Sequence, residues 1–281
     1  MKTWKKIVLG VSLISLFLGG GLVAWGYSQG GLTDLQNQTK SEQDYVKKEV
    51  KDFNKIDIKS SSYNVLIKNG DVNKATLSYY QKTKNPIDTS VKDGKLTIND
   101  NNSELDSTSK KHINFFGLKD LVRLSTLNEE VRNKTIVITL PKKQTIDFLK
   151  VDLATGNLDL SNSTIKQADI NLNVGDLTFT KMIVRNLKAN LDVGSVDSDH
   201  TLFTNSNLSI AMGDYSGDNL IFNGHNKLDV TSGNIELALK DYTLNVQADS
   251  HSGEVDITNN LKISKDNTLT ITSDLGDITV E

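Results

Sequence analysis

An all-β fold of stacked repeats, a β-solenoid, is predicted by three features of the sequence. Aligned on one glycine, the chain repeats through Gly156, Gly175, Gly194, Gly213, Gly233, Gly253 and Gly276, at intervals of 19, 19, 19, 20, 20 and 23 residues. Apolar residues alternate with polar ones on both sides of each glycine, as in "LNVGDLTFT" (172–180). Two prolines, no cysteine and abundant Asn, Thr, Ser and Asp suit strands joined by many turns.

The N-terminus reads differently. Lys2, Lys5 and Lys6 precede residues 7–27, which carry no ionisable group except the terminal Tyr27 phenol. As a helix this run is about 31 Å long, matching a ~30 Å hydrocarbon core. It exceeds the apolar stretch of a secretory signal, although Ala24-Trp25-Gly26 resembles a small-x-small cleavage site. One transmembrane helix is therefore expected at 1–27, ahead of the solenoid, with a cleaved signal as the alternative. Leading lysines, with Asp34 the first charge behind, place the C-terminal part outside the cell membrane as a single-pass protein. Absence of cysteine in an extracytoplasmic domain fits a Gram-positive envelope.

Residues 28–52 are polar with scattered apolar points and read as a stalk, helical in part. The β-strand-repeat domain is expected over 53–281, its glycine-centred rungs running from about 147. From Lys55 the apolar period is two, as in Ile56/Ile58 and Val65/Ile67. Asn69-Gly70 and Asp93-Gly94 lie between strand-like runs, the signal of hairpin turns. Residues 99–111 form a polar loop. In 112–131, Phe115, Leu118, Leu121, Val122 and Leu124 recur at helical spacing, predicting an amphipathic helix over one end or edge of the domain. Residues 134–142 are a strand closed by Pro141.

In the repeat, the residues two after the glycine are all apolar: Leu158, Leu177, Val196, Tyr215, Ile235, Val255 and Ile278. Five before stand Val151, Ile170, Ala189, Leu208, Leu228, Ala248 and Ile271. Three before, Leu153, Leu172, Leu191, Ile210 and Val230 give way to Ser250 and Ser273. Each rung is therefore read as two short strands joined at a glycine corner of positive φ, each with one inward face. One rung cannot bury its own apolar face; stacking at about 4.8 Å makes continuous inward ladders. A two-sheet sandwich fits so regular a spacing less well. The last rung, 276–281, is expected at the open end of the stack. Its edge is blunted by Asp277 and Glu281 or covered by a partner, and self-association there is disfavoured because like carboxylates would meet.

The succession "KIDIKSSSYNVLIKNG", "VKDGKLTI", "IVITLPK" and the glycine rungs resembles the β-strand-repeat family of unknown function labelled putative adhesin, over about residues 52–281. The resemblance implies a non-catalytic domain of Gram-positive cell-envelope proteins, some of them tied to envelope stress responses. It carries over no catalytic residue.

The residues themselves point to no enzyme. Near-balanced charge (−3) and only three arginines, Arg123, Arg132 and Arg185, exclude a nucleic-acid footprint. The histidines, His112, His200, His225 and His251, show no metal-ligand spacing. "DSDH" (197–200) and "HSGE" (251–254) read as solvated turns. Asp176, Asp214 and Asp277 follow glycines as calcium ligands might in a roll, but the nine-residue calcium repeat is missing. No catalytic, cofactor-binding or metal-ligating residue is assigned, and no cofactor. The expected partners are the membrane, through the N-terminal helix, and an envelope protein or cell-wall ligand. The alternative is a polysaccharide-active β-helix enzyme, pairing Asp176 with Asp159 or Asp197 at the 5–9.5 Å that glycoside chemistry needs.

Overall fold

The computed structural model describes residues 43–82, 86–100 and 134–281. All regular elements among them are strands. The first eight are β1 (Gln43–Glu49), β2 (Lys55–Ser60), β3 (Asn64–Gly70), β4 (Thr76–Lys82), β5 (Asp88–Lys92), β6 (Lys95–Asn99), β7 (Thr135–Pro141) and β8 (Thr145–Ile146). Three coils of three strands follow: β9 (Phe148–Thr155), β10 (Leu158–Ser161) and β11 (Thr164–Ile165); β12 (Ala168–Val174), β13 (Leu177–Thr180) and β14 (Ile183–Arg185); β15 (Leu187–Val193), β16 (Val196–Asp199) and β17 (Leu202–Thr204). Then come β18 (Asn207–Met212) with β19 (Tyr215–Asn223), β20 (His225–Ser232) with β21 (Ile235–Leu239), β22 (Asn245–Ser252) with β23 (Val255–Ile257), and β24 (Thr268–Leu275) with β25 (Ile278–Val280).

Equivalent strands pair in parallel, so the chain winds as a solenoid. β9, β12, β15, β18 and β20 stack into a long first side, and β10, β13, β16, β19 and β21 into a second. The expected register holds: Leu177 lies between Leu158 and Val196, all three fully buried. The rungs have one side more than expected. β8, β11, β14, β17 and the end of β19 form a short third side. Each of its strands sends one residue inward, Ile146, Ile165, Val184, Phe203 and Phe222. A two- or three-residue strand with a single inward residue shows no alternation, which hides it in a sequence. Phe203 lies edge-on to Phe179 (centroids 5.3 Å apart) and stacks on Phe222 (5.7 Å), filling the interior of the prism.

Both ends depart from chain order. At the first, β2 and β3 pair with β9 and β10, while β6 and β7 lie outside them. Antiparallel β5 covers β6, and antiparallel β4, flanked by β1, covers β7. Asp93-Gly94 is the expected hairpin turn, with φ of 50° and 69°. Asn69-Gly70 is not a turn: both residues end β3, and β7 inserts between β3 and β4. Residues 43–49, assigned to the stalk, are a strand, and Val50 and Phe53 are buried in the core. The helix expected at 112–131 and the apolar segment 7–27 lie outside the described residues. Among the described residues no helix is long and apolar enough to cross a membrane.

At the other end the expectation for the last rung is overturned. β24 and β25 insert between β20/β21 and β22/β23, so 276–281 is interior and the terminal coil is β22/β23. The physical reason lies in the inward residues. β24 and β25 turn Leu269, Ile271, Ile278 and Val280 inward, a bulkier apolar set than Val246, Ala248, Val255 and Ile257 of β22 and β23, so the more apolar coil takes the covered level.

Candidate functional surface

The corner joining the first and second sides is built from the glycines and the residue after each. Gly175 has φ +149°, and a Cβ there would lie 2.1 Å from the Gly156 carbonyl oxygen. At Gly253, where φ is not positive, a Cβ would lie 2.1 Å from Gly276 O. Close backbone stacking, and not φ alone, demands glycine. The next residue down the corner caps its neighbour. Asn157 Oδ1 accepts from Asp176 N (3.0 Å), Asp176 Oδ1 from Ser195 N (2.9 Å), Asp214 Oδ1 from Asn234 N (2.7 Å), Asn234 Oδ1 from Asp277 N (3.0 Å) and Asp277 Oδ1 from Glu254 N (2.8 Å). The three aspartates considered for calcium therefore act as hydrogen-bond acceptors for the backbone of the next coil.

The other sequence candidates are dispersed. Asp197 points outward on β16, two levels from Asp159 with Thr178 between them. Burial pushes the Asp159 carboxyl above its ordinary value; a Thr178 hydrogen bond opposes this and the Asp176 charge adds to it. Within "DSDH", Ser198 is not in a turn: it is buried and accepts from Tyr215 Oη at 3.0 Å. Burial raises the Tyr215 phenol, against the Ser198 hydrogen bond. Asp199 and His200 sit at the next corner, with Asp199 Oδ1 2.6 Å from His200 Nδ1 and φ +49° at His200. The nearby Asp218 brings its ligand atoms within 4.8 Å of theirs, and Asn219 Nδ2 donates to it at 2.6 Å. His251 and Glu254 are exposed on the terminal coil. Two clefts, of about 170 and 360 Å³, are lined by none of Asp159, Asp176 and Asp197, although Asp152 lines the larger. That larger cleft also borders Asp100, a buried carboxylate that accepts from Ser60 Oγ (3.1 Å), Ser61 N (3.2 Å) and Ser61 Oγ (2.9 Å) and so ties the first corner together.

Beside the glycines runs a surface the sequence reading missed. The residue before the glycine is Val174 (46% exposed), Val193 (44%), Met212 (59%) and Leu275 (56%) in four coils. Val174, Val193 and Met212 occupy adjacent levels, with Ser232 separating Met212 from Leu275. Asp176, Asp214 and Asp277 flank this ridge on one side, and Asp192 and Asp274 on the other. The ridge is thus a stacked, exposed apolar strip with acids interspersed along both flanks. The sequence hides it, because Val174, Val193, Met212 and Leu275 keep in phase with the inward residues of their strands and are turned outward only by the glycine corner.

No curated protein matches the chain in sequence. Several solved structures align with it at low similarity. One from Bacteroides fragilis, called a putative adhesin, is 16% identical, with 86% of this chain and 98% of that one aligned and a TM-score of 0.39. One from Clostridium sporogenes, called a putative cell adhesion protein, is 15% identical over 85% and 98%, with a TM-score of 0.30. One from Parabacteroides distasonis, called a putative lipid binding protein, is 11% identical over 86% and 98%, with a TM-score of 0.35. At these scores nothing about residues or ligands transfers. The family model described as Toastrack DUF4097 matches residues 53–281, the whole of the repeat domain, and the chain belongs to that family.

Proposed function

We propose that this protein is a non-catalytic surface domain, anchored in the cell membrane by residues 7–27 and displayed outside it, that binds an envelope protein or cell-wall component. The single observation that carries this reading is the exposed ridge of Val174, Val193, Met212 and Leu275, aligned along one corner of the solenoid. The corner carboxylates support it, since Asp176, Asp214 and Asp277 are engaged with backbone N–H groups. A role in adhesion or in the envelope stress response belongs to the same reading.

The test is photo-crosslinking in intact cells from position 193 or 212, with position 178 on the second side as control. One adduct common to 193 and 212, absent from 178 and lost on Val174→Asp, is expected. Equal labelling from all three positions would count against the ridge. Protease added to wall-stripped cells should digest the domain, and its protection would overturn the topology. Purified protein should leave envelope polysaccharides unchanged; turnover lost in Asp159→Asn or Asp197→Asn would instead establish the polysaccharide-active alternative.

A further inference from the structure

The two ends of the stack are protected differently. Antiparallel strands cover β6 and β7 at the first end. At the second, β22 and β23 are the last strands of their sheets, and among the described residues no strand pairs with their outer edges. Inward-turned side chains are only partly covered there: Val246, Ala248, Ile257 and Leu261 are half-buried and Val255 is exposed. An open parallel edge beside uncovered core residues is a template for strand pairing.

We propose that this end joins the same end of a second copy of the chain about a two-fold axis, β22 pairing antiparallel with its counterpart. The surface is distinct from the ridge and does not depend on it. A two-fold axis perpendicular to the stack, passing through the middle of the first side, returns that side onto itself and exchanges the other two. The charges on those two sides are of opposite sign. The β23 side presents Glu254 and Asp256, both exposed. On the third side the 258–266 connection stands one level lower, in line with β24 and β25, held by bonds of the Lys262 backbone with Leu244 N (3.1 Å) and Tyr242 O (2.8 Å). It presents Lys262 and Lys265 against one acid, Asp266. Across this one-level step the rotation therefore turns Glu254 and Asp256 of each copy toward the long side chains of Lys262 and Lys265 of the other, twice. Like charges meet only if each side faces itself, which the two-fold forbids.

Register follows from the outward residues of β22. Centred on Ala248, Gln247 faces Asp249 of the second copy and Asn245 faces its His251, while Val246, Ala248 and Ser250 stay on the inner face. Asp249 then meets an amide and not itself.

The full chain in detergent tests this directly. Because it has no cysteine, Ala248→Cys introduces a single thiol, and mild oxidation should yield a disulfide-linked dimer, whereas Thr178→Cys should not. Sedimentation should show a wild-type dimer that is weakened at least about tenfold by Glu254→Lys with Asp256→Lys. Adding Lys262→Glu and Lys265→Glu to that variant should restore it. Recovery by the second charge change separates a lost contact from a misfolded end. A monomer at every concentration, or a dimer indifferent to both charge changes, overturns the proposal.

Discussion

At Gly175 two demands fall on one residue: a φ of +149° and a backbone so close that a Cβ would lie 2.1 Å from Gly156 O. Gly175→Ala is expected to cost about 3 kcal/mol or more, read as a fall in melting temperature, because strain and a backbone clash add. The neighbouring aspartate behaves otherwise. Asp176→Asn keeps the acceptor for Ser195 N, as Asn157 and Asn234 do at their own corners; it should change stability by less than ~0.5 kcal/mol, and Asp176→Ala should cost ~1 kcal/mol. Leu177→Asp, one residue further on and fully buried, should cost several kcal/mol. Equal melts for Asp176→Asn and Leu177→Asp would refute the register. The inward column of Leu153, Leu172, Leu191, Ile210 and Val230 continues into Ser273 and then Ser250, and the buried Ser273 hydroxyl has no hydrogen-bond partner. Ser273→Val is expected to stabilise by ~1 kcal/mol in the same measurement.

At the scale of an element, the outward row of the second side carries a pH dependence. The folded-state pKa of Asp159 lies above its ordinary value because of burial. Its ionisation therefore opposes folding: the destabilisation is full above the folded pKa and disappears below the unfolded one. Asp159→Asn keeps an acceptor for Thr178 and removes the charge. The variant should melt higher than wild type near neutral pH, and the difference should vanish as pH falls below the ordinary value of 3.8. A difference independent of pH would show that burial of the charge is not its cause. On the third side, Phe203 is held between Phe179 and Phe222. Phe203→Ala should cost about 3–5 kcal/mol, more than any other third-side truncation, because rings above and below cannot both collapse into the space.

At the scale of the whole molecule, the exchange of levels at the second end sets how the domain opens. Among the described residues, β24 and β25 are paired on both edges, β22 and β23 on one. Hydrogen exchange should find β24 and β25 protected like β20, and the outer edge of β22 exchanging first. Deleting 268–281 should release β22/β23 as well, since β24 and β25 are their strand partners among the described residues; simple fraying from the C-terminus would leave the order reversed.

What the sequence determined by itself is the repeating unit. Glycine spacing and the apolar positions at two after, three before and five before define the first two sides and their register, because alternation and close stacking are local demands written at every rung. That Asp176, Asp214 and Asp277 are turn residues was legible for the same reason, each following a rung glycine. Tertiary structure decided the rest. The third side depends on single inward residues such as Val184 and Phe203, which carry no period. The loss of the Asn69-Gly70 hairpin and the insertion of β24/β25 depend on which coil buries more apolar surface when levels compete, a comparison between segments far apart in the chain. That Val174, Val193 and Met212, in phase with the inward residues of their strands, face outward as a ridge was likewise settled only by the corner geometry and by the parallel pairing that set them on adjacent levels.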